Sequence, residues 1–132
     1  METNDSKILY KDLSYKLNGL FFAIHKELGW QRSEKSYADA LEQKLKDNNI
    51  SYEREMPLLP SFTGEGERRN VPDFVINGII IIDLKAKRFI STDDYYQMRR
   101  YLSASDLRLG IIVNFRQYRI YPKRVLLPSD RS

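Results

Sequence analysis

A run of four isoleucines, Ile79 to Ile82, is followed by Asp83, Leu84 and Lys85. Side chains alternate along a strand, so Asp83 and Lys85 share a face. The aliphatic run shows no alternation of its own, which predicts a strand buried on both faces. Ionised groups there are costly unless they are paired or bind a metal. Asp73 stands on the preceding run, Val71 to Ile76, and Asn77-Gly78 between the two runs is a strong hairpin signal. The length of that turn decides the chemistry. A two-residue turn pairs Ile76 with Ile79 and puts Asp73 and Asp83 on opposite faces. A loop one residue longer pairs Ile76 with Ile80 and sets Asp73 directly across from Asp83. Such loops need a left-handed residue, which Gly78 supplies, so the longer loop is predicted. Two carboxylates abreast repel each other without a cation, so this register implies a divalent metal. Lys85 beside them would orient or activate a water, or stabilise a developing charge.

Other residues bear on the same chemistry. The chain has no cysteine and one histidine, His25. Disulfides, zinc–thiolate sites, iron–sulfur clusters and thiol nucleophiles are therefore excluded, and any metal falls to carboxylates, which favour magnesium, manganese or calcium. Glu34 sits on the inward stripe of a helix with Tyr37, Ala38 and Leu41. A first-turn acid is favoured by the helix dipole alone, but beside two strand carboxylates it reads better as a metal or water ligand. Gln97 and Tyr101 are spaced i, i+4 and share a helix face, while Arg99 and Arg100 lie off that face, where they can meet phosphates. His25 reads as a helix-face histidine with a backbone or water partner, and Trp30 as a lid on the core ahead of a base-stacking platform. Tyr95, Tyr96, Tyr118 and Tyr121 read mainly as packing residues, with nucleic-acid contact as the lesser reading.

These residues need elements to hold them. From Asp12, the apolar positions Leu13, Leu17, Leu20, Phe21, Ile24 and Leu28 form one helical stripe that Gly29 ends. A second helix follows with Ser33 as its cap and stops at Asn48-Asn49. Ile50 to Leu59 reads as a strand, and 61–70 as a polar loop. After the hairpin, Ser91 or Thr92 caps a helix over about 93–104, and Leu107–Phe115 and Gln117–Tyr121 read as closing strands. The predicted order is ααβββαββ, in one domain over 1–132 with flexible tails at 1–6 and 126–132.

At 132 residues the chain is long enough for one core, and 42% hydrophobic residues argue against disorder. No stretch approaches the length of a membrane span and no signal peptide is visible, so the expectation is a cytoplasmic protein without a membrane partner. The formal net charge is +4. It is unevenly placed, with 13 Lys/Arg against 7 Asp/Glu in residues 67–132. A basic half of this kind points towards a polyanion such as nucleic acid.

Pro72-Asp73 followed, after nine residues, by Asp83-Leu84-Lys85 resembles the PD-(D/E)xK motif of the restriction-endonuclease-like nuclease superfamily. Gln97 and Tyr101 resemble the QxxxY motif of several of its branches. Ile24-His25-Lys26-Glu27-Leu28-Gly29, with Glu34 and Tyr37 beyond, is similar to the GxxExxY family within it, although that family's signature glycine falls here at Gln31. The likeness covers about residues 9–122. It implies an α/β (α+β) fold with a restriction-endonuclease-like core, a mixed central sheet flanked by helices. It also implies magnesium, with manganese able to substitute, for phosphodiester hydrolysis. Carried over, Asp73, Asp83 and Glu34 would bind the metal and Lys85 would assist the attacking water. Tyr37, Gln97 and Tyr101 would support the site, and Arg68, Arg69, Lys87, Arg88, Arg99 and Arg100 would hold the backbone of DNA in preference to RNA.

The reading is thus a magnesium-dependent nuclease. A narrower form is a homodimeric, structure-specific nuclease of the junction-resolvase kind. The alternative is a non-catalytic nucleic-acid-binding or protein-interaction module on the same fold, with the acids simply paired to Lys85, Arg68 or Arg69.

Overall fold

The computed structural model describes residues 9–60, 62–66 and 70–127. The order is α1 (Lys11–Leu28), α2 (Glu34–Asp47), β1 (Tyr52–Arg54), β2 (Phe74–Ile76), β3 (Ile80–Lys85), α3 (Thr92–Ser105), β4 (Leu109–Asn114) and β5 (Lys123–Leu126). That is the predicted ααβββαββ succession. The strands form one sheet in chain order, β1-β2-β3-β4-β5. Only β3 and β4 run parallel, and the other neighbours are antiparallel. The parallel step requires a crossover, and α3 provides it. The result is a mixed α+β sheet between two helical layers, consistent with a restriction-endonuclease-like fold.

Alternation along the strands divides the core in two. Phe74, Ile76, Ile80, Ile82, Leu84, Ile111 and Val113 pack with Leu17, Phe21, Ile24, Tyr37, Leu41 and Leu45 of α1 and α2. Val75, Ile81 and Ile112 pack with Met98, Tyr101 and Leu102 of α3 on the other face. β3 is buried from Ile80 to Leu84, as its unbroken aliphatic run requires. Gly110 lets α3 come close, since a Cβ there would lie 2.3 Å from Met98 Sδ.

The helix ends follow local chemistry. Gly29, at φ 78°, closes α1. The Ser33 hydroxyl caps α2 by accepting from Ser36 N at 3.1 Å. Ser91 and Asp94 form a reciprocal capping box at the start of α3.

Some boundaries differ from expectation. β1 is only Tyr52–Arg54, because Glu55 turns left-handed at φ 54° and ends the ladder. The last strand is not Gln117–Tyr121. Those residues form an irregular connection held by buried Ile120, and the strand is Lys123–Leu126, where Val125 sits across from Gly110. Propensity marks residues that suit a half-buried pleat, without saying which of two such stretches the sheet takes. Leu126 pairs with Leu109 inside that strand, while 1–8 and 128–132 lie outside the described residues. Trp30 is 41% exposed and is no core lid. No helix among the described residues is long and apolar enough to cross a membrane.

Candidate active site

The hairpin register brings the two strand acids together. Ile76 pairs with Ile80 and Phe74 with Ile82, which is the longer loop, with Gly78 left-handed at φ 68°. One step beyond Phe74 and Ile82, Asp73 and Asp83 stand across from each other on the α3 side of the sheet. The Asp73 main-chain nitrogen donates to Asp83 Oδ1 at 3.4 Å. Leu84 N donates to Asp73 Oδ2 at 2.6 Å.

Lys85 lies on the same face, its Nζ 3.0 Å from Asp83 Oδ2. It also donates to Gln97 Oε1 at 3.2 Å and stands 3.8 Å from Asp94 Oδ1. The i, i+4 partner of Gln97, Tyr101, donates from its hydroxyl to Val71 O at 3.3 Å, fastening the segment that leads into Asp73. Gln97 therefore fixes the lysine and Tyr101 fixes the backbone before Asp73, both from the buried face of α3.

Burial and the neighbouring Asp83 charge push the Asp73 carboxyl up to about 7, against the pull of the Leu84 amide, and Glu34 adds to the rise. Burial also raises Asp83, although Lys85 opposes it. Lys85 itself is raised: burial works against its charge, but Asp83 outweighs burial and keeps the ammonium. The Tyr101 hydroxyl is raised by burial and by both acids, so it remains a donor. Among the described residues, Lys85 is the cation paired with these two acids, and it sits on Asp83.

Glu34 arrives from the other helical layer. It is solvent-exposed at the first turn of α2 and lines a cavity of about 240 Å³ with Lys35, Ala38, Arg54, Glu55 and Asp73. Among the described residues, no three His, Cys, Asp or Glu side chains converge tightly enough to form a ready metal cluster. A divalent cation nevertheless suits the pair. The Asp73 carboxyl, raised by burial and by Asp83, borders an open cavity, and magnesium usually takes one or two carboxylates and keeps several waters. Asp73 and Asp83 would hold it, with Glu34 across the cavity. Tyr37 acts at a distance. Its hydroxyl donates to Gly29 O at 2.7 Å and accepts from Arg32 N at 3.1 Å, and its ring stacks on Phe115 at 4.3 Å. These contacts lock the α1–α2 turn that presents Glu34.

The expected phosphate contacts are not alike. Lys87 Nζ lies 2.7 Å from Asp94 Oδ2, and Arg100 Nε donates to Asn70 Oδ1 at 3.1 Å. Arg88 lies over the Phe89 ring at 5.8 Å, and Arg99 is exposed. Arg68 and Arg69 lie outside the described residues. Sequence reasoning missed Asp94 and Asn114. Asp94 caps α3 and faces both lysines. The Lys87 and Ser91 contacts hold its carboxyl below the usual range despite burial. The Ser91-x-x-Asp94 spacing announces the cap but not the lysines. Buried Asn114 clasps the Lys87 backbone, donating to Lys87 O at 2.7 Å and accepting from Lys87 N at 3.2 Å.

The hairpin thus sets half-buried Asp73 across from buried Asp83, with a lysine two residues on and a helix glutamine against that lysine. The chain matches the PD-(D/E)XK nuclease superfamily over residues 11–125 and belongs to it. Neither a curated protein nor a solved structure matches the chain.

Proposed function

We propose that the chain is a magnesium-dependent nuclease that hydrolyses phosphodiester bonds in DNA in preference to RNA. Within its superfamily we read it as a GxxExxY-type member. The observation that carries the reading is the placement of Asp73 beside Asp83, with Lys85 paired to Asp83. The chemistry a divalent cation would supply when bound is polarisation of the scissile phosphate and a more acidic attacking water. Asp73 and Asp83 would hold the cation, with Glu34 available for a further ligand or water from across the cavity. Lys85, fixed by Asp83 and Gln97, donates from Nζ to orient the water and to stabilise the charge that builds on the phosphate. The water oxygen gives up a proton to solvent and bonds to phosphorus, the ester P–O bond breaks, and the leaving oxygen takes a proton from solvent. Exposed cations such as Arg88 and Arg99 hold the backbone, which makes binding salt-dependent.

One observation favours a second reading. The 3.0 Å contact between Lys85 and Asp83 is also what a structural ion pair in a non-catalytic binding module would show. The two are separated by incubating single-stranded, duplex and branched DNA, and RNA, with magnesium, manganese or EDTA. Metal-dependent cutting that disappears in Asp83→Ala and Lys85→Ala supports the nuclease. Salt-sensitive binding without cutting, unchanged in Lys85→Ala, supports the binding module.

A further inference from the structure

The connection between β4 and β5 carries a feature that the acids do not use. Phe115 N donates to Lys85 O at 2.9 Å, so this connection leaves the sheet beside the lysine. It then borders a cavity of about 450 Å³ lined by Phe22, His25, Tyr118, Arg119, Ile120 and Tyr121. Ile120 is buried and anchors the segment, but the flanking rings are not: Tyr118 is 76% exposed, Tyr121 59% and Phe22 50%. The frame beneath them is fixed. His25 Nε2 hydrogen-bonds Gln117 O at 2.7 Å, and Phe115 is sandwiched into the core against Tyr37. Rings presented on a fixed frame and left in water are surfaces for something else.

The segment that carries the two tyrosines has charge of one sign. From Leu107 to Ser129 the sequence has no Asp or Glu, but it has Arg108, Arg116, Arg119, Lys123 and Arg124. Lys123 Nζ lies 5.9 Å from the centre of the Tyr121 ring, and Arg119 lines the cavity itself. Aromatic faces interleaved with cations suit a polyanion that also offers flat π-surfaces. An acidic peptide satisfies the charges but not the rings, and duplex DNA hides its base faces in the stack. We propose that the Phe22–Tyr118–Tyr121 groove binds single-stranded nucleic acid, with unpaired bases stacked on the rings and flanking phosphates on Arg119 and Lys123. This rests on the nuclease reading in taking nucleic acid as the ligand, and it deepens that reading. The preferred substrate has an unpaired segment that rounds the end of the sheet, from the α1 side to the acids on the α3 side.

The test uses the full chain in EDTA and fluorescence anisotropy. The probes are a labelled single-stranded DNA, the matching RNA, the duplex, and an abasic strand of equal length. The proposal expects tighter binding of a strand with bases than of the abasic strand. It also expects Phe22→Ala, Tyr118→Ala and Tyr121→Ala each to weaken the based strand by roughly 5- to 150-fold, with little effect on the abasic one. Tyr118→Phe and Tyr121→Phe retain affinity, because the ring and not the hydroxyl is used. Equal binding of based and abasic strands, no binding of either, or ring variants with wild-type affinity overturns the groove. Cutting is followed in parallel with magnesium. Its absence on every substrate would count against the nuclease while leaving the binding result readable. Cutting that persists with wild-type single-strand affinity in all three alanine variants would count against the groove alone.

Discussion

The Asp73 main-chain nitrogen donates to Asp83 Oδ1 at 3.4 Å, so the two acids stand abreast on neighbouring strands rather than on opposite faces. The whole difference lies in one loop residue. With Ile76 paired to Ile80, Gly78 turns left-handed and the acids face α3 together. The cost falls on Asp73, first through burial of its carboxyl and then through the neighbouring Asp83, while Lys85 leans on Asp83. A site that stores such a cost is one where function and stability conflict.

The pH dependence of stability follows from Asp73. Its carboxyl titrates near 7 in the fold, against about 3.9 in an unfolded chain. The folded state therefore holds this proton more tightly, and the stabilisation from the protonated form is complete below the unfolded value. It is lost as pH rises through about 7, so the metal-free protein becomes less stable over that window. Asp73→Asn cannot ionise and retains an oxygen for Leu84 N. It should abolish activity yet melt higher than the wild type in EDTA at alkaline pH, with a flatter pH profile. Parallel profiles for the two proteins would contradict this assignment.

Metal should relieve the same conflict. Added magnesium is expected to stabilise the wild type by mass action, by about 2.7 kcal/mol at a hundredfold excess over Kd, and so to raise its melting temperature. The gain should shrink sharply in Asp73→Asn and Asp83→Asn. Differential scanning calorimetry with and without EDTA reads it directly, and an equal gain in all three proteins would place the cation elsewhere.

Asp94 joins helix capping to the lysines. Asp94→Ala removes the acceptor for Ser91 N, now at 2.8 Å, and should cost about 1 kcal/mol. Asp94→Asn retains an acceptor oxygen and should recover most of that loss. Denaturant midpoints decide, and equal losses in the two variants would show that the cap is not what Asp94 contributes.

Gly110 sets how closely α3 approaches β4. A Cβ there would meet Met98 Sδ at 2.3 Å and Cγ at 2.7 Å. Gly110→Ala should cost about 1–3 kcal/mol through overpacking. Combined with Met98→Ala, the loss should be smaller than the sum of the two single losses, because the shorter side chain makes room. Strict additivity in denaturant melts would mean that the two residues do not share this contact.

The legible parts of the fold were those written in short-range chemistry. Gly29, Ser33 and Ser91 announce helix ends because their caps need only local residues. The hairpin register was readable because Gly78 makes the longer loop accessible and the isoleucine run marks a doubly buried strand. What depends on tertiary packing was not readable. Tyr118 and Tyr121 have strand-forming side chains but stand in water, and Lys123–Leu126 takes the sheet edge instead. The reach of Asp94 to Lys85 and Lys87 depends on how α3 lies across β3, which no spacing within α3 reveals. Glu34 shares a cavity with Asp73 although its helix packs on the other face, a proximity that only the end of the sheet creates.

The most direct test of the central claim is the rate of DNA cutting by EDTA-stripped protein as magnesium is restored, for the wild type beside Asp73→Asn and Asp83→Asn. We expect no cutting without metal, saturable recovery in the wild type, and a loss of at least about a hundredfold in each variant, the scale of removing one major transition-state interaction. Cutting that proceeds in EDTA, or that both variants retain at wild-type rates, would contradict the assignment of Asp73 and Asp83 as the acids that hold the catalytic cation.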